Sequence, residues 1–412
     1  MRNCLWLART LPFPLTSGDR IYTGKLVAAL AAQGVALTYV GFAGDAPADP
    51  VDNVTWHVVP GLPRGRLAAL FSPMPLVAAR HATPEYRAEI TRLLAAQAWD
   101  AVVIDQYGMG WVLDYLRQAG PKMRVFIGHD HEESVTRQQW RDGWRSPQGP
   151  YLLQNYLKTR RSERHTARSC DVITAITAAD AAVFQLLAPA ARVVTLTPGY
   201  DGPRLGHRQI TGATPRAAVM FGSYRWSAKQ ANLKLFLDHA NATMHAAGIE
   251  MRVVGDMDGE QRLTLQKRYA SACFTGFVQD PTPYLDARLA IVAEPIGGGF
   301  KLKLLDYIFN RLPIVALEAC VAGLPDTVLR HVLVVPDMAA LTACVTSVID
   351  DVERLDRLQR DAFQAAERAF DWADRGADLL AALRAVVPVS PVPAGFAVSG
   401  TDRHYDPTPR TR

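Results

Sequence analysis

Cysteine is scarce in this chain of 412 residues, and the few present form no pattern. Cys4, Cys170, Cys273, Cys320 and Cys344 include no C-x-x-C pair, and their number is odd. That argues against a disulfide framework and a zinc site of ordinary spacing, and a reducing compartment is expected. Long apolar runs are lacking too. No stretch reaches the ~18 uninterrupted apolar residues that a spanning helix needs. The opening MRNCLWLARTLPFP is broken by Arg9 and reads as neither an export signal nor an anchor. The expected location is cytoplasmic, with peripheral contact at the inner membrane face left open. One-sided charge is also missing. A formal net charge of +5 is too small to argue for nucleic acid, and it suits anionic small molecules or a loose encounter with an anionic membrane. There is no solenoid period and no low-complexity array.

What is present is apolar sequence in short, regularly spaced runs. Hydrophobic residues make up 49% of the chain, enough for two cores in a protein of this length. NCLWLA, VALTYVGF, VTWHVV, DAVVID, RVFIG and DVITAIT read as strands, with helical patterns such as RIYTGKLVAALAAQG, PEYRAEITRLLAAQ and AADAAVFQLLA between several of them. Nearly continuous apolar strands alternating with helices predict an α/β fold with a parallel sheet covered on both faces. The alternation stops in a Gly-, Pro- and Thr-rich stretch and restarts at AAVMFG, followed by MRVVG, ACFTGFV, LAIVAEP and LPIVAL. The expected organisation is a Rossmann-like domain over 1–196 and a linker over 197–216. A second Rossmann-like domain covers 217–370, a helical segment 371–388, and a Pro-rich, disordered tail 389–412. Two doubly wound domains in series face a central cleft at the carboxyl ends of their strands, where open α/β sheets bind ligands.

The segment EPIGGGFKLKLLDY places Gly297, Gly298 and Gly299 after a strand and before a helical pattern that carries Lys301 and Lys303. Glycines let backbone approach a ligand, a helix start offers unpaired N–H groups, and lysines add positive charge. Together they suggest a diphosphate site. Asp306 follows Lys303 by one helical turn and could accept hydrogen bonds from ribose hydroxyls. The plainer alternative is a tight turn with solvated lysines. A second cluster, FGSYRWSAKQAN, also joins a strand to a helix, with Gly222 in the turn and Arg225 and Lys229 beside it. Two cationic corners in one domain suggest a diphosphate clamped from both sides.

The stretch FVQDPTPYLDARLAIVAEPIGGGFKLKLLDYIFNRLPIVAL resembles the donor site of GT-B glycosyltransferases of the GT4-like superfamily. The matching residues are Gly276, Phe277, Val278 and Asp280, then the glycine run with Phe300, Lys303 and Asp306, then Pro313 to Val315. TPGYD, from Thr197, sits where that family places its linker motif, and Trp372 where a late helix crosses back to the first domain. The resemblance implies a transferase that uses a nucleotide-diphosphate sugar as co-substrate, with no other cofactor and no metal. It also implies retention of anomeric configuration, base contacts near Phe277 and Val278, and a glycan, lipid-linked or small-molecule acceptor. The chain departs from the family in three places. Asp306 replaces a glutamate, Gly298 replaces an acid that contacts the donor sugar in the better-known branch, and Arg311 replaces a small residue.

In the first half, Gly18 and Asp19 open a helix after the first strand, with Asp19 as the expected N-cap. The resemblance places this loop under the donor phosphates or beside the acceptor. RVFIGHDHEES puts His129, Asp130 and His131 just past a strand end; the resemblance assigns His129 to the active site. A pair of metal-binding histidines is the weaker alternative. Glu132 and Glu133 could pair with the basic stretch YLKTRRSERHTARSC, which reads as a solvated helix face or, less simply, as a site for anionic headgroups. DMD, from Asp256, resembles a metal motif of another fold but sits in a turn. Rival functions are a nucleotide-sugar epimerase of the same fold, a sugar phosphorylase, for which no pyridoxal-phosphate lysine is identifiable, a two-domain binding protein, and a catalytically silent homologue.

Overall fold

The structure, a computed structural model, describes residues 1–66 and 71–386. The tail expected to be disordered, 389–412, lies outside the described residues. A seven-stranded sheet is built from β1 (Asn3–Thr10), β2 (Ala36–Phe42), β3 (Val54–Val59), β4 (Ala101–Asp105), β5 (Arg124–Ile127), β6 (Val172–Ala175) and β7 (Arg192–Thr195) in the order β3-β2-β1-β4-β5-β6-β7. A six-stranded sheet follows, with β8 (Ala217–Phe221), β9 (Glu250–Val254), β10 (Ala272–Gly276), β11 (Leu289–Val292), β12 (Ile314–Leu317) and β13 (Leu333–Val335) ordered β10-β9-β8-β11-β12-β13. Every pairing is parallel. Strand order reverses between β1 and β4 and again between β8 and β11, so each sheet has a switch point at which a crevice opens.

The sequence pattern explains both faces. Along β1, Leu5 and Leu7 enter one core with Val102 and Ile104, while Cys4, Trp6 and Ala8 enter the opposite core with Ala101 and Val103. Alternate residues of a strand point to opposite faces, so a strand buried on both must be apolar throughout. β7 and β13 escape the sequence reading. They are three- or four-residue edge strands, partly exposed and too short to stand out.

The link between the sheets is packed down. Ile210 is buried in the second core. Arg311 donates to the carbonyls of Leu205 at 2.7 Å and Gly206 at 2.8 Å, and its guanidinium lies 3.8 Å from the Phe363 ring centroid. These contacts account for an arginine where the related family has a small residue. Phe370 belongs to the second core, whereas Trp372, Leu379, Leu380 and Leu383 of the last described helix, Trp372–Arg384, belong to the first. The chain therefore crosses back at Asp371.

Candidate active site

Two side-chain tethers draw the two cationic corners of the second domain together. The buried Asn232, on the helix Ser227–Ala246, donates to the Ile296 carbonyl at 2.8 Å and accepts from the Ile296 N–H at 3.0 Å. Ile296 immediately precedes the glycine run. The Phe221 N–H, at the end of β8, donates to the Tyr307 hydroxyl at 2.6 Å. Gly222 consequently lies against Lys303, whose Nζ would sit 3.1 Å from a Cβ at position 222. The Tyr224 ring is 6.0 Å from the same ammonium.

At the junction, Lys303 is ion-paired with Glu294, and Lys301 Nζ lies 4.0 Å from the other oxygen of that carboxylate. Burial works to raise the Glu294 carboxyl, but Lys303, Lys229 and Lys301 outweigh it and hold it below the usual range. Burial, with Lys303 and Lys301 adding to it, pushes Lys229 below the usual lysine range. Lys303 and Lys301 lie on the Glu294 carboxylate and Lys229 is close enough to act on it, so three ammonium groups gather around that acid at a glycine-lined corner. The helix beginning at Lys303 has only seven residues, so these side chains, and not the expected helix start, carry the attraction for an anion.

The other expected donor contacts are dispersed. Arg225 is 64% exposed and forms an ion pair with Asp256 instead of joining the lysines. The expected two-sided clamp therefore has three lysines and no arginine. Asp258 caps the helix Gly259–Arg268, so the two acids of DMD hold an arginine and a helix start. Phe277 is 75% exposed and Val278 packs at the edge of the second core. Phe300 packs against the cores of both domains. Asp306 lies near Tyr200, whose hydroxyl donates to the Pro203 carbonyl at 3.1 Å. Burial raises the Asp306 carboxyl to about 6, against the pull of Tyr200 and Lys303. Lys301 donates to the Gly298 carbonyl at 2.8 Å.

The first domain faces this corner with the carboxyl ends of β1, β4 and β5. A Cβ on Gly18 would lie 3.6 Å from Leu302, so the helix Gly18–Ala32 begins beside the donor corner. Its N-cap is Ser17; Asp19 sits inside the first turn, contrary to the sequence reading. Asp19 accepts from the Ser17 hydroxyl at 2.5 Å and pairs with Arg9 at 3.3 Å. Burial works to raise its carboxyl, but Ser17, Arg9 and His129 outweigh it and lower it. His129 is buried, with Nε2 at 2.9 Å from Asp105 Oδ1 and Nδ1 at 3.2 Å from the Gln106 amide. Asp105 Oδ2 also accepts from Trp6 at 3.0 Å and Thr23 at 2.9 Å. Of the two neutral tautomers, the one with its proton on Nε2 fits these partners. Arg9, Asp19, Arg20, Thr23, Tyr39 and Gln106 line a small cavity at the β1/β4 switch point.

His131 turns elsewhere. Its Nδ1 is 2.7 Å from the Ser134 hydroxyl and its Nε2 lies 3.7 Å from Glu163. Glu133 pairs with Arg160 and Arg164. Glu163, the single acid of the basic stretch, is buried and accepts from the N–H groups of Glu132 and Glu133. Among the described residues, no cluster of three or more His, Cys, Asp or Glu is placed to hold a metal, and no helix is long and apolar enough to cross a membrane.

Sequence reading missed Glu294, Asn232 and Asp105. Glu294 was visible at a strand end, in the residues before the glycine run, but its lysine partners are assembled only by folding.

Comparison with known proteins agrees with this fold. Residues 17–199 match the glycosyl transferase 4-like domain, and residues 215–351 match glycosyl transferases group 1. No curated protein matches significantly in sequence. The fold is shared with sucrose-phosphate synthase from Thermosynechococcus elongatus (TM-score 0.68, 16% identity, 93% of this chain and 98% of that one). WaaG, a glycosyltransferase involved in lipopolysaccharide biosynthesis, gives 0.63 at 17% identity over 91% and 99% of the two chains. Anabaena HepE, solved with UDP and glucose, gives 0.61 at 15% identity over 94% and 100%. With both halves matched by glycosyltransferase families and both sheets arranged as in GT-B enzymes, the chain belongs to the GT4-like glycosyltransferases.

Proposed function

We propose that the protein transfers a sugar from a nucleotide-diphosphate sugar to a hydroxyl of an acceptor held by the first domain. The observation that carries this reading is the shared-carboxylate lysine cluster of Lys229, Lys301 and Lys303 at a glycine-lined corner of the interdomain cleft. Three ammonium groups gathered there attract an esterified diphosphate, and the reaction is proposed to need no divalent cation. When the bond from the anomeric carbon to the diphosphate breaks, negative charge grows on the leaving oxygen. Fixed ammonium groups lower that barrier by electrostatic stabilisation. Asp306 is assigned to the ribose, and the exposed Phe277 with Val278 to the base. The cavity lined by Asp19, Thr23 and Gln106 is assigned to the acceptor, and His129 to the cleft between acceptor and donor sugar. Retention of configuration follows from the family resemblance alone.

The test is binding of UDP, GDP, ADP and TDP, followed by donor consumption with and without acceptor. No thermal shift with any of them at millimolar concentration would remove the donor site. Binding with turnover only when acceptor is present supports transfer. Turnover without acceptor favours the epimerase, and binding without turnover favours the silent homologue. One observation favours a lipid-linked acceptor. Leu153 and Leu157 are exposed on the helix Gly149–Arg168, next to the exposed Arg160 and Arg161, and Trp144 and Arg145 lie just before it. Sedimentation with anionic but not neutral vesicles would support peripheral docking.

A further inference from the structure

Asp130 follows His129 on the loop after β5 and reaches across the cleft to the glycine run of the other domain. Its Oδ1 is buried with no hydrogen-bond partner. A Cβ on Gly299 would lie 2.2 Å from that oxygen, and one on Gly298 would lie 3.6 Å from it. Gly299 has φ +72°, so both its conformation and its neighbour exclude a side chain. Gly298 has no such backbone restriction, and it faces Val135 at 3.5 Å and Asp130 at 3.6 Å. A buried acceptor without a donor is costly, on the order of 1–3 kcal/mol and more for a charged group. Such a group is resolved by an ordered water or by a ligand that brings the missing donor.

The position indicates which ligand part that would be. The diphosphate site is next door, because Lys301 binds the Gly298 carbonyl while lying beside Glu294. A group esterified to the diphosphate projects from that corner, where Asp130 meets the glycine run. An unpaired carboxylate oxygen accepts hydrogen bonds from hydroxyls and repels other carboxylates. The glycines supply no competing side chain.

We infer that Asp130 is the donor-sugar recognition residue, accepting hydrogen bonds from hydroxyls of a neutral sugar and disfavouring a uronic acid. The inference rests on the proposed donor site. In this arrangement the carboxylate that reads the sugar comes from the first domain. A second acid at Gly298 would place two negative groups within a few ångströms.

The experiment measures, for the wild type, Asp130→Asn, Asp130→Ala and the double variant Asp130→Ala/Gly298→Glu, the affinity of UDP and of UDP-glucose and the turnover of UDP-glucose. If another nucleotide of the UDP, GDP, ADP and TDP panel binds more tightly, its glucose ester is used. The expected result is an unchanged UDP affinity, UDP-glucose binding weakened by about tenfold, as for one lost charged hydrogen bond, and turnover lowered by more. UDP-glucuronic acid should bind better to Asp130→Asn than to the wild type. The double variant should recover turnover lost in Asp130→Ala. Equal losses for UDP and UDP-glucose would reduce Asp130 to a structural role and overturn the inference, and so would no change in either. Failure of every nucleotide to bind the wild type would instead overturn the donor site on which the inference rests.

Discussion

Lys303 and Glu294 form a buried ion pair at the foot of the glycine run, with the lysine 9% and the glutamate 6% exposed. The pair keeps a cation in a place where burial alone would expel it, and Glu294 is shared with Lys301 and Lys229. Lys303→Ala should weaken UDP by on the order of 30-fold or more, from the ~2–5 kcal/mol typical of truncating a buried hydrogen-bonded charge pair. Uridine affinity should not change. Isothermal titration with both ligands checks this, and parallel losses would contradict a diphosphate role.

Arg225→Ala should do much less. Its ion pair with Asp256 is exposed and such pairs contribute little, so the change in UDP affinity should stay under about fivefold. Lys229→Ala, by contrast, removes a partly buried member of the cluster and should cost more than Arg225→Ala. The reverse ranking would restore the arginine to the donor site.

His129→Ala should leave UDP affinity intact and reduce turnover by on the order of 10²-fold. It also deprives Asp105 Oδ1 of its imidazole donor, so a stability loss of about 1–3 kcal/mol is expected. Steady-state kinetics and thermal melting separate the two effects. Unchanged turnover in a destabilised protein would make His129 structural.

Stability should fall as pH rises from about 5 to 8. Burial raises Glu132 to about 7, with Asp130 adding to it, and raises Glu163 to about 8 against the two backbone N–H groups it accepts. An unfolded glutamate titrates near ~4.3. Between these values the folded state holds protons that the unfolded state releases, so ionisation costs the fold more at each step up in pH. Glu163→Gln cannot ionise and should flatten the melting-temperature profile. An unchanged slope would show that Glu163 does not titrate in this window.

Much of the fold was legible because strands buried on both faces must be apolar throughout. That requirement marked β1, β4, β8 and β11 and left the short edge strands β7 and β13 unmarked. The proposed donor corner was legible in part. Glycines and lysines at two strand ends suggested an anion site, yet nothing local separates Lys303, which turns inward to Glu294, from Arg225, which pairs with an acid 31 residues away. In the sequence Asp130 is marked only by its place between two histidines just past a strand end. Its facing Gly298 and Gly299 depends on how the two domains meet, and sequence spacing does not encode that.

The return of the chain at Asp371 has a consequence for biogenesis. Because Trp372, Leu379, Leu380 and Leu383 complete a core begun by Cys4 and Trp6, the amino-terminal lobe stays unfinished during translation until the last described helix has left the ribosome. Severing the polypeptide between the lobes would give an amino-terminal fragment with an open apolar face and a carboxy-terminal fragment carrying the piece that closes it.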